Sequence, residues 1–413
     1  MLRKHLVIVG GGWAGLTLVR NLKNVNPKNL RITIISDEPN FRYSPGLYRV
    51  ATGYREKEAI IPIGEVLADI EHVDFVLDTA ATIDRKHRTL KTASGKIFHY
   101  DFAVIALGVV SSYFGIPGIE ENSFTIKSTE GVKKFRTHLH EEIIADKAVD
   151  KNYVVVGAGA TGVELSAALV SYLNRTAKWH GLRRSHVTID LIDAAPRVLP
   201  NMSEAASKKI QARLKKLGVH VMVKAKVEAE TDDTLSVSGK SIPTRTVVWT
   251  GGVTNNPFFK KNEKQFSFNE RGKITVDEHL AVDEHTYVIG DNAATEFSGL
   301  ALTAVHNAQY VAKDIKKRLA GKQRAGFYKP LHPAVVVPVG PNWAALQYRS
   351  VLITGRLGAI MRVVADFVGY MDVLGFWKAL EIWTSTDQQE EQCAVCRVQL
   401  AKLNGSAELL EAN

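Results

Sequence analysis

The stretch Gly10-Gly11-Gly12-Trp13-Ala14-Gly15 follows the apolar run Leu6-Val7-Ile8-Val9, and the same arrangement returns at Gly157-Ala158-Gly159-Ala160-Thr161-Gly162 after Val154-Val155-Val156. Each reads as a strand, a tight glycine turn and a helix. In that context the first glycine (Gly10, Gly157) makes the turn and the second (Gly12, Gly159) lets backbone approach a pyrophosphate. The third (Gly15, Gly162) lets the helix pack close on the strand. The phosphates then rest on a helix N-terminus, where free N–H groups and the helix dipole favour anions. Two such units imply two dinucleotides on one polypeptide and electrons passing between them.

Working outward, Arg31 to Ile35 reads as a second strand and ends at Ser36-Asp37-Glu38. Asn40 to Gly53 is loop-like, Gly95-Lys96 marks a hairpin, and Phe102 to Leu107 is a buried strand ending at Gly108. In the second unit the helix is expected through Leu173, with an irregular basic connection around Thr176–Arg184. A strand from Val187 to Ile192 reaches Asp193. A helix from about Ser203 to Leu217 stops at Gly218, which fits a C-cap glycine. Val247-Val248-Trp249 precedes Gly251-Gly252. Thr286 to Ile289 leads into Gly290-Asp291, and a helix is expected from about Ala301 to Leu319. Strands alternating with helices argue for parallel sheets with crossover helices.

The bulk numbers fit this class. With 413 residues, of which 45% are hydrophobic and 23% charged, two or three domains can each bury a core. The balance of 53 basic to 43 acidic residues gives +10, a charge suited to solubility or to anionic partners. Two cysteines, Cys393 and Cys396, exclude a disulfide-rich secreted fold, and a pair of unpaired surface thiols is expected. The first strand starts by Leu6, which leaves no room for a leader, and no apolar run is long enough for a transmembrane helix. An intracellular protein is the expectation.

The tail differs. Leu357, Ile360, Met361, Val364, Phe367, Val368 and Met371 recur at helical spacing, and Phe376, Trp377, Leu380 and Trp383 continue an apolar face. Arg349, Arg356, Arg362 and Lys378 flank it. Such a stretch lies in a membrane interface or packs on the main body. Apolar helical stripes are usually core, so the pattern alone favours packing.

An acid at the end of the second strand after a glycine fingerprint, usually about 20 residues on, holds ribose hydroxyls, and Asp193 sits at that strand end in the second unit. A carboxylate there repels a 2′-phosphate, so NADH is favoured over NADPH, although Arg197 lies nearby. In the first unit the strand-end residue is Ser36, and Asp37 or Glu38 could reach an adenosine ribose. Asp291 suggests a carboxylate accepting hydrogen bonds from a flavin's ribityl chain, and Asp after Gly also serves as a plain turn or cap residue.

The order of fingerprint, second fingerprint and Gly-Asp resembles the two-dinucleotide-binding-domain flavoproteins, such as the pyridine-nucleotide disulfide reductases. Within them the chain looks most like type II NADH dehydrogenases, the non-pumping NADH:quinone oxidoreductases. The similar stretches lie between residue 5 and about 320. They include Val50-Ala51-Thr52-Gly53, Ala106-Leu107-Gly108, Gly159-Ala160-Thr161-Gly162-Val163-Glu164-Leu165, Pro196-Arg197-Val198-Leu199-Pro200, Val248-Trp249-Thr250-Gly251-Gly252 and Ile289-Gly290-Asp291. The resemblance implies an α/β fold with two Rossmann-like dinucleotide-binding domains and a C-terminal membrane-associating helical region. It divides the chain into an FAD-binding domain at 1–115 and 256–330, an NADH-binding domain at 116–255, and a membrane-interface and dimerisation region at 331–413. FAD would be held by Gly10, Gly12, Gly15, Asp37, Gly108, Asp291 and Ala304, and NADH by Gly157, Gly159, Gly162, Asp193 and Gly252.

The resemblance also places Glu164 beside the nicotinamide, a residue otherwise read as a first-turn acid complementing the helix dipole. The family's quinone motif Ala-Gln-x-x-x-Gln falls on Ala304-Val305-His306-Asn307-Ala308-Gln309, with Gln309 as the second glutamine and Val305 in place of the first. Quinone is the implied acceptor, and a peripheral homodimer on the cytoplasmic face of a prokaryotic cell membrane is the implied setting. No metal and no nucleic acid are expected. The alternatives are a soluble NAD(P)H:acceptor flavin reductase and a redox-sensing binding protein like the apoptosis-inducing factors.

Overall fold

The computed structural model describes residues 3–146, 148–182 and 187–385. Two all-parallel sheets carry the two glycine turns. The first has strand order Thr286–Val288, Phe102–Ile105, Lys4–Val9, Leu30–Ser36, Val73–Leu77. The second has order Val219–Val223, Ile189–Asp193, Tyr153–Val156, Thr246–Trp249. Their central strands are continuous apolar runs because helices cover one face of each sheet and a small antiparallel meander covers the other, so no side of the strand meets water. Leu6, Val7 and Ile8 are fully buried, as are Val154 and Val155.

The chain passes between the sheets twice, and the two crossings pair with each other as antiparallel strands, Val109–Ser111 with Val253–Asn255. Each sheet carries a small antiparallel meander, at residues 80–99 and 227–243.

Local signals place the helices. Ser203 caps Glu204–Leu217 by accepting from the Ala206 amide at 3.2 Å, and Gly218 ends it with φ +94°. The helix Ala160–Trp179 runs further than the sequence suggested, so Thr176 to Trp179 are helical rather than irregular. Thr176 and Ala177 are buried in it, and packing carries the helix through the basic stretch. The loop-like segment Asn40–Gly53 holds a short strand, Asn40–Arg42, and a helix, Leu47–Ala51.

The tail departs most from expectation. Before its helices come three antiparallel strands, Val335–Pro338, Ala344–Tyr348 and Val351–Gly355. The helix Arg356–Leu374 packs on this sheet. A side chain at Gly358 would run into the Ala344 carbonyl, so the close approach depends on glycine there. The helix Phe376–Ser385 follows.

The apolar stripe read from the sequence does not face the core. Leu357 is 56% exposed, Ile360 59%, Val364 48%, Val368 50% and Trp377 79%. Of the residues in the stripe, Phe367 and Trp383 turn inward enough to pack on the core. The buried face is made of Gly358, Arg362, Tyr370, Val373 and Leu374. Helical spacing marks a face but not the direction in which it points, and here Gly358, Arg362 and Tyr370 share the inner face with Val373 and Leu374. Cys393 and Cys396 lie outside the described residues.

Candidate functional site

The two glycine turns are near copies. At both Gly15 and Gly162 a side chain would strike the carbonyl of the first glycine of its own turn, Gly10 or Gly157. Gly12 and Gly159 instead face open space and are exposed. They are the N-caps of Trp13–Leu22 and Ala160–Trp179, with no side-chain cap and no acid in the first turn. Capping groups are normally supplied where helix N–H groups are left free. Two uncapped ends over open glycine turns form two cradles that pyrophosphates fit, as two dinucleotides require.

Around the second turn, Asp193 ends its strand and accepts from the Ala158 amide at 2.5 Å and from the Ala195 amide at 2.7 Å. This fixes the carboxylate beside the turn. Arg197 is turned to other work. Its guanidinium donates to the carbonyls of Met202 (2.8 Å) and Pro200 (2.7 Å) and to Ser207 Oγ (2.6 Å). Both terminal nitrogens are thus already engaged by this chain's own acceptors. Asp193→Ser is therefore expected to relax the preference for NADH, read as the NADH/NADPH ratio of kcat/KM. An unchanged ratio would show that the ribose is held elsewhere.

Around the first turn the strand-end side chain is Ser36, which is buried, and its Oγ donates to the Glu38 carbonyl at 2.9 Å. Asp37 is exposed, and Glu38 faces Arg42 at 3.5 Å. The Gly290-Asp291 turn is drawn to the same place. A methyl at Gly290 would lie 3.5 Å from Ala14 and 3.7 Å from Ala304. Burial raises the Asp291 carboxyl above the usual range, partly countered by Lys273.

Two asparagines that the sequence reading passed over hold this turn. The Asn307 side chain accepts from the Gly290 amide at 3.0 Å. Asn292 accepts from the Gly108 amide at 2.8 Å and donates to the Gly108 carbonyl at 2.6 Å and to Asn255 at 2.6 Å. Gly108 is thereby tied to the crossing strands. Gln309 is exposed, whereas Val305, one turn before it, is buried.

Glu164 lies where the two units and the tail meet. It is buried, at 7% exposure, and burial pushes its carboxyl up to about 7 against the pull of Arg362. Arg362 reaches it from the helix Arg356–Leu374 at 3.3 Å. The same guanidinium donates to Asp366 Oδ2 at 2.9 Å and to the Pro45 carbonyl at 2.8 Å. Asp366 accepts from the Tyr43 hydroxyl at 2.7 Å, and Tyr43 stacks on Tyr370 with ring centroids 4.2 Å apart. Tyr370 donates to the Glu58 carbonyl at 2.6 Å. Trp13, the first residue of the first fingerprint helix, joins this aromatic group 5.2 Å from Tyr43.

One buried cluster thus links the first glycine turn, the second fingerprint helix and the outward apolar helix. Glu164 is legible in the sequence, where Arg362 stands only as one of the basic residues flanking the apolar stretch. Arginine in an apolar run has no local signal of burial.

Comparison with known proteins agrees with this geometry. The family model for pyridine nucleotide-disulphide oxidoreductases matches residues 4–312. The chain belongs to that family. Among curated relatives it is 28% identical over 385 residues to the type II NADH:quinone oxidoreductase of Staphylococcus aureus, covering 88% of this chain and 94% of that protein. In fold it is similar to NDH2 from Plasmodium falciparum in complex with NADH, with a TM-score of 0.80 at 16% identity over 92% of this chain and 97% of that one. It is also similar to the sulfide:quinone oxidoreductase from Aquifex aeolicus, with a TM-score of 0.75 at 20% identity over 95% and 98% of the two chains. Disulfide chemistry needs cysteines beside the flavin, and this chain has none before Cys393.

Proposed function

We propose that this chain is an FAD-dependent, non-proton-pumping NADH:quinone oxidoreductase. The observation that carries the reading is the buried contact of Glu164 with Arg362, because it joins the second cradle, the Pro45 loop of the first unit and the tail helix at one point. The near full-length similarity to the Staphylococcus aureus type II NADH:quinone oxidoreductase supports it. FAD, when bound, supplies a two-electron carrier between NADH and the quinone.

The chain's own residues do the rest. Gly10, Gly12 and Gly15 receive FAD's pyrophosphate, Gly108, Asp291 and Ala304 line its remaining length, and Asp37 is the acid offered near its ribose. Gly157, Gly159, Gly162 and Gly252 receive NADH, with Asp193 on its ribose. Glu164 holds a proton near neutral pH at a carboxylate oxygen, and quinone reduction consumes protons. Arg362 fixes the position of that carboxylate. Gln309 is the exposed polar group offered to the quinone, and the buried Val305 shapes the apolar wall beside it.

The outward face of Arg356–Leu374 and Phe376–Ser385 is the surface for a bilayer. Among the described residues no helix is long and apolar enough to cross a membrane, so the contact proposed is peripheral and interfacial. The cytoplasmic face of a prokaryotic cell membrane and a homodimer complete the reading.

The test is anaerobic. NADH is expected to bleach the flavin absorbance of the FAD-loaded protein, and a quinone embedded in lipid vesicles to restore it while the protein sediments with the vesicles. Bleaching without recovery, and protein left in the supernatant, would favour a soluble acceptor reductase.

A further inference from the structure

Gly252 is gripped from two sides where the chain leaves the second sheet. Its carbonyl accepts from Lys127 Nζ at 3.0 Å and from the Ser112 amide at 3.3 Å. Its α-carbon lies under the Phe114 ring, so a side chain there would come within 2.5 Å of two ring carbons. Phe114 is 67% exposed and has φ +55°, a left-handed backbone that a bulky residue adopts only under strain. Strain of this kind persists when the surroundings over-determine it, and it concentrates at ligand clamps. Here the surroundings are identifiable. Trp249 Nε1 donates to the Ser112 carbonyl at 2.9 Å, which ties the Phe114 loop to the end of the neighbouring strand.

The gripped segment is a wall of the second cradle. Thr250 Oγ1 donates to the Val156 and Gly157 carbonyls at 2.9 and 3.0 Å, and a side chain at Gly157 would come within 2.6 Å of the Gly251 amide. The strands Tyr153–Val156 and Thr246–Trp249 are parallel neighbours, and Val156 pairs with Trp249. Ligands of open α/β sheets lie outside such carboxyl ends. Phe114 lies just after the crossing strand Val109–Ser111, so its grip also ties this wall to the connection with the first unit. Arg42 strengthens the tie by donating to the Lys127 carbonyl at 3.1 Å.

We infer that Phe114 and Lys127 are positioning residues for the nicotinamide nucleotide, acting through Gly252 to hold the Thr250–Gly252 wall against the Gly157–Gly162 turn. Burial lowers the Lys127 amine to about 8, and charged or neutral it can donate to the Gly252 carbonyl. The inference rests on NADH occupying the second cradle.

The experiment measures NAD+ affinity of the FAD-loaded protein by titration calorimetry, together with Tm. Phe114→Gly keeps the left-handed backbone without strain and removes the ring. It is expected to weaken NAD+ binding about fivefold or more with no fall in Tm. Lys127→Met is expected to weaken it similarly, and Lys127→Arg to restore most of the loss. KM for quinone stays unchanged in all three. Wild-type NAD+ affinity in Phe114→Gly or Lys127→Met overturns the inference, and so does a loss that appears equally in the quinone KM. Failure of the placement itself is separable, because Asp193→Ser then leaves the NADH/NADPH ratio unmoved.

Discussion

Glu164→Gln is expected to lower NADH:quinone turnover about 10²-fold near neutral pH while FAD content stays at the wild-type level. Removal of a positioned acid–base group costs about that much. Glutamine keeps the volume and can still accept from Arg362, so the change isolates the titrating proton. In stopped flow, bleaching by NADH and reoxidation by quinone report the two half-reactions separately, and wild-type speed in both would remove Glu164 from the mechanism.

The pH dependence adds a second reading of the same group. Burial raises the carboxyl to about 7, so its protonated fraction falls tenfold per unit as pH climbs beyond that value. Quinone turnover in the wild type is expected to decline through and above pH 7, and the Gln variant to lose that limb. The folded protein also binds this proton more tightly than the unfolded chain. The stability it contributes is therefore present at low pH and lost as pH rises through about 7.

Arg362→Met is expected to cost about 3–5 kcal/mol of stability, the usual consequence of removing one partner from a buried ionic cluster. The guanidinium serves three acceptors in different directions, Glu164, Asp366 and the Pro45 carbonyl. A lysine ammonium cannot present a planar fork to all three, so Arg362→Lys recovers only part of the loss. In a thermal melt of the FAD-loaded protein the Met variant is expected to fall by roughly 10 °C. The variant carrying Glu164→Gln and Asp366→Asn as well is expected to regain much of it, because the acids left uncompensated are then neutral. A Met variant melting within about 2 °C of wild type would show that water reaches the two carboxylates and that the cluster is not closed.

Much of the first 320 residues was legible because its signals are local. A β-branched run, a glycine turn and a helix identify themselves within some fifteen residues, and they did so twice. Ser203 and Gly218 bounded their helix for the same reason. The helix Ala301–Leu319 has the bounds its periodicity suggested. What escaped lay in contacts between distant segments. Asn292 and Asn307 are ordinary letters until the fold sets them against Gly108 and Gly290. The strands at 335–355 were missed although Gly340-Pro341 marks the turn between the first two, because the helical stripe after them dominated the reading.

The sequence by itself determined that two glycine cradles exist and that the segments forming them contain no cysteine. It also determined that an acid follows the second cradle's strand, and each of these is a property of neighbouring residues. Only the tertiary structure decided which way the tail helix faces. A period of 3.6 residues defines a stripe without a direction, and here the apolar stripe turns outward because Arg362, Asp366 and Tyr370 have partners inside. The meeting of Glu164 with Arg362, 198 positions apart in the chain, belongs to the same class of fact. Burial sets the value of such a pair, and burial is created when the helices close over it.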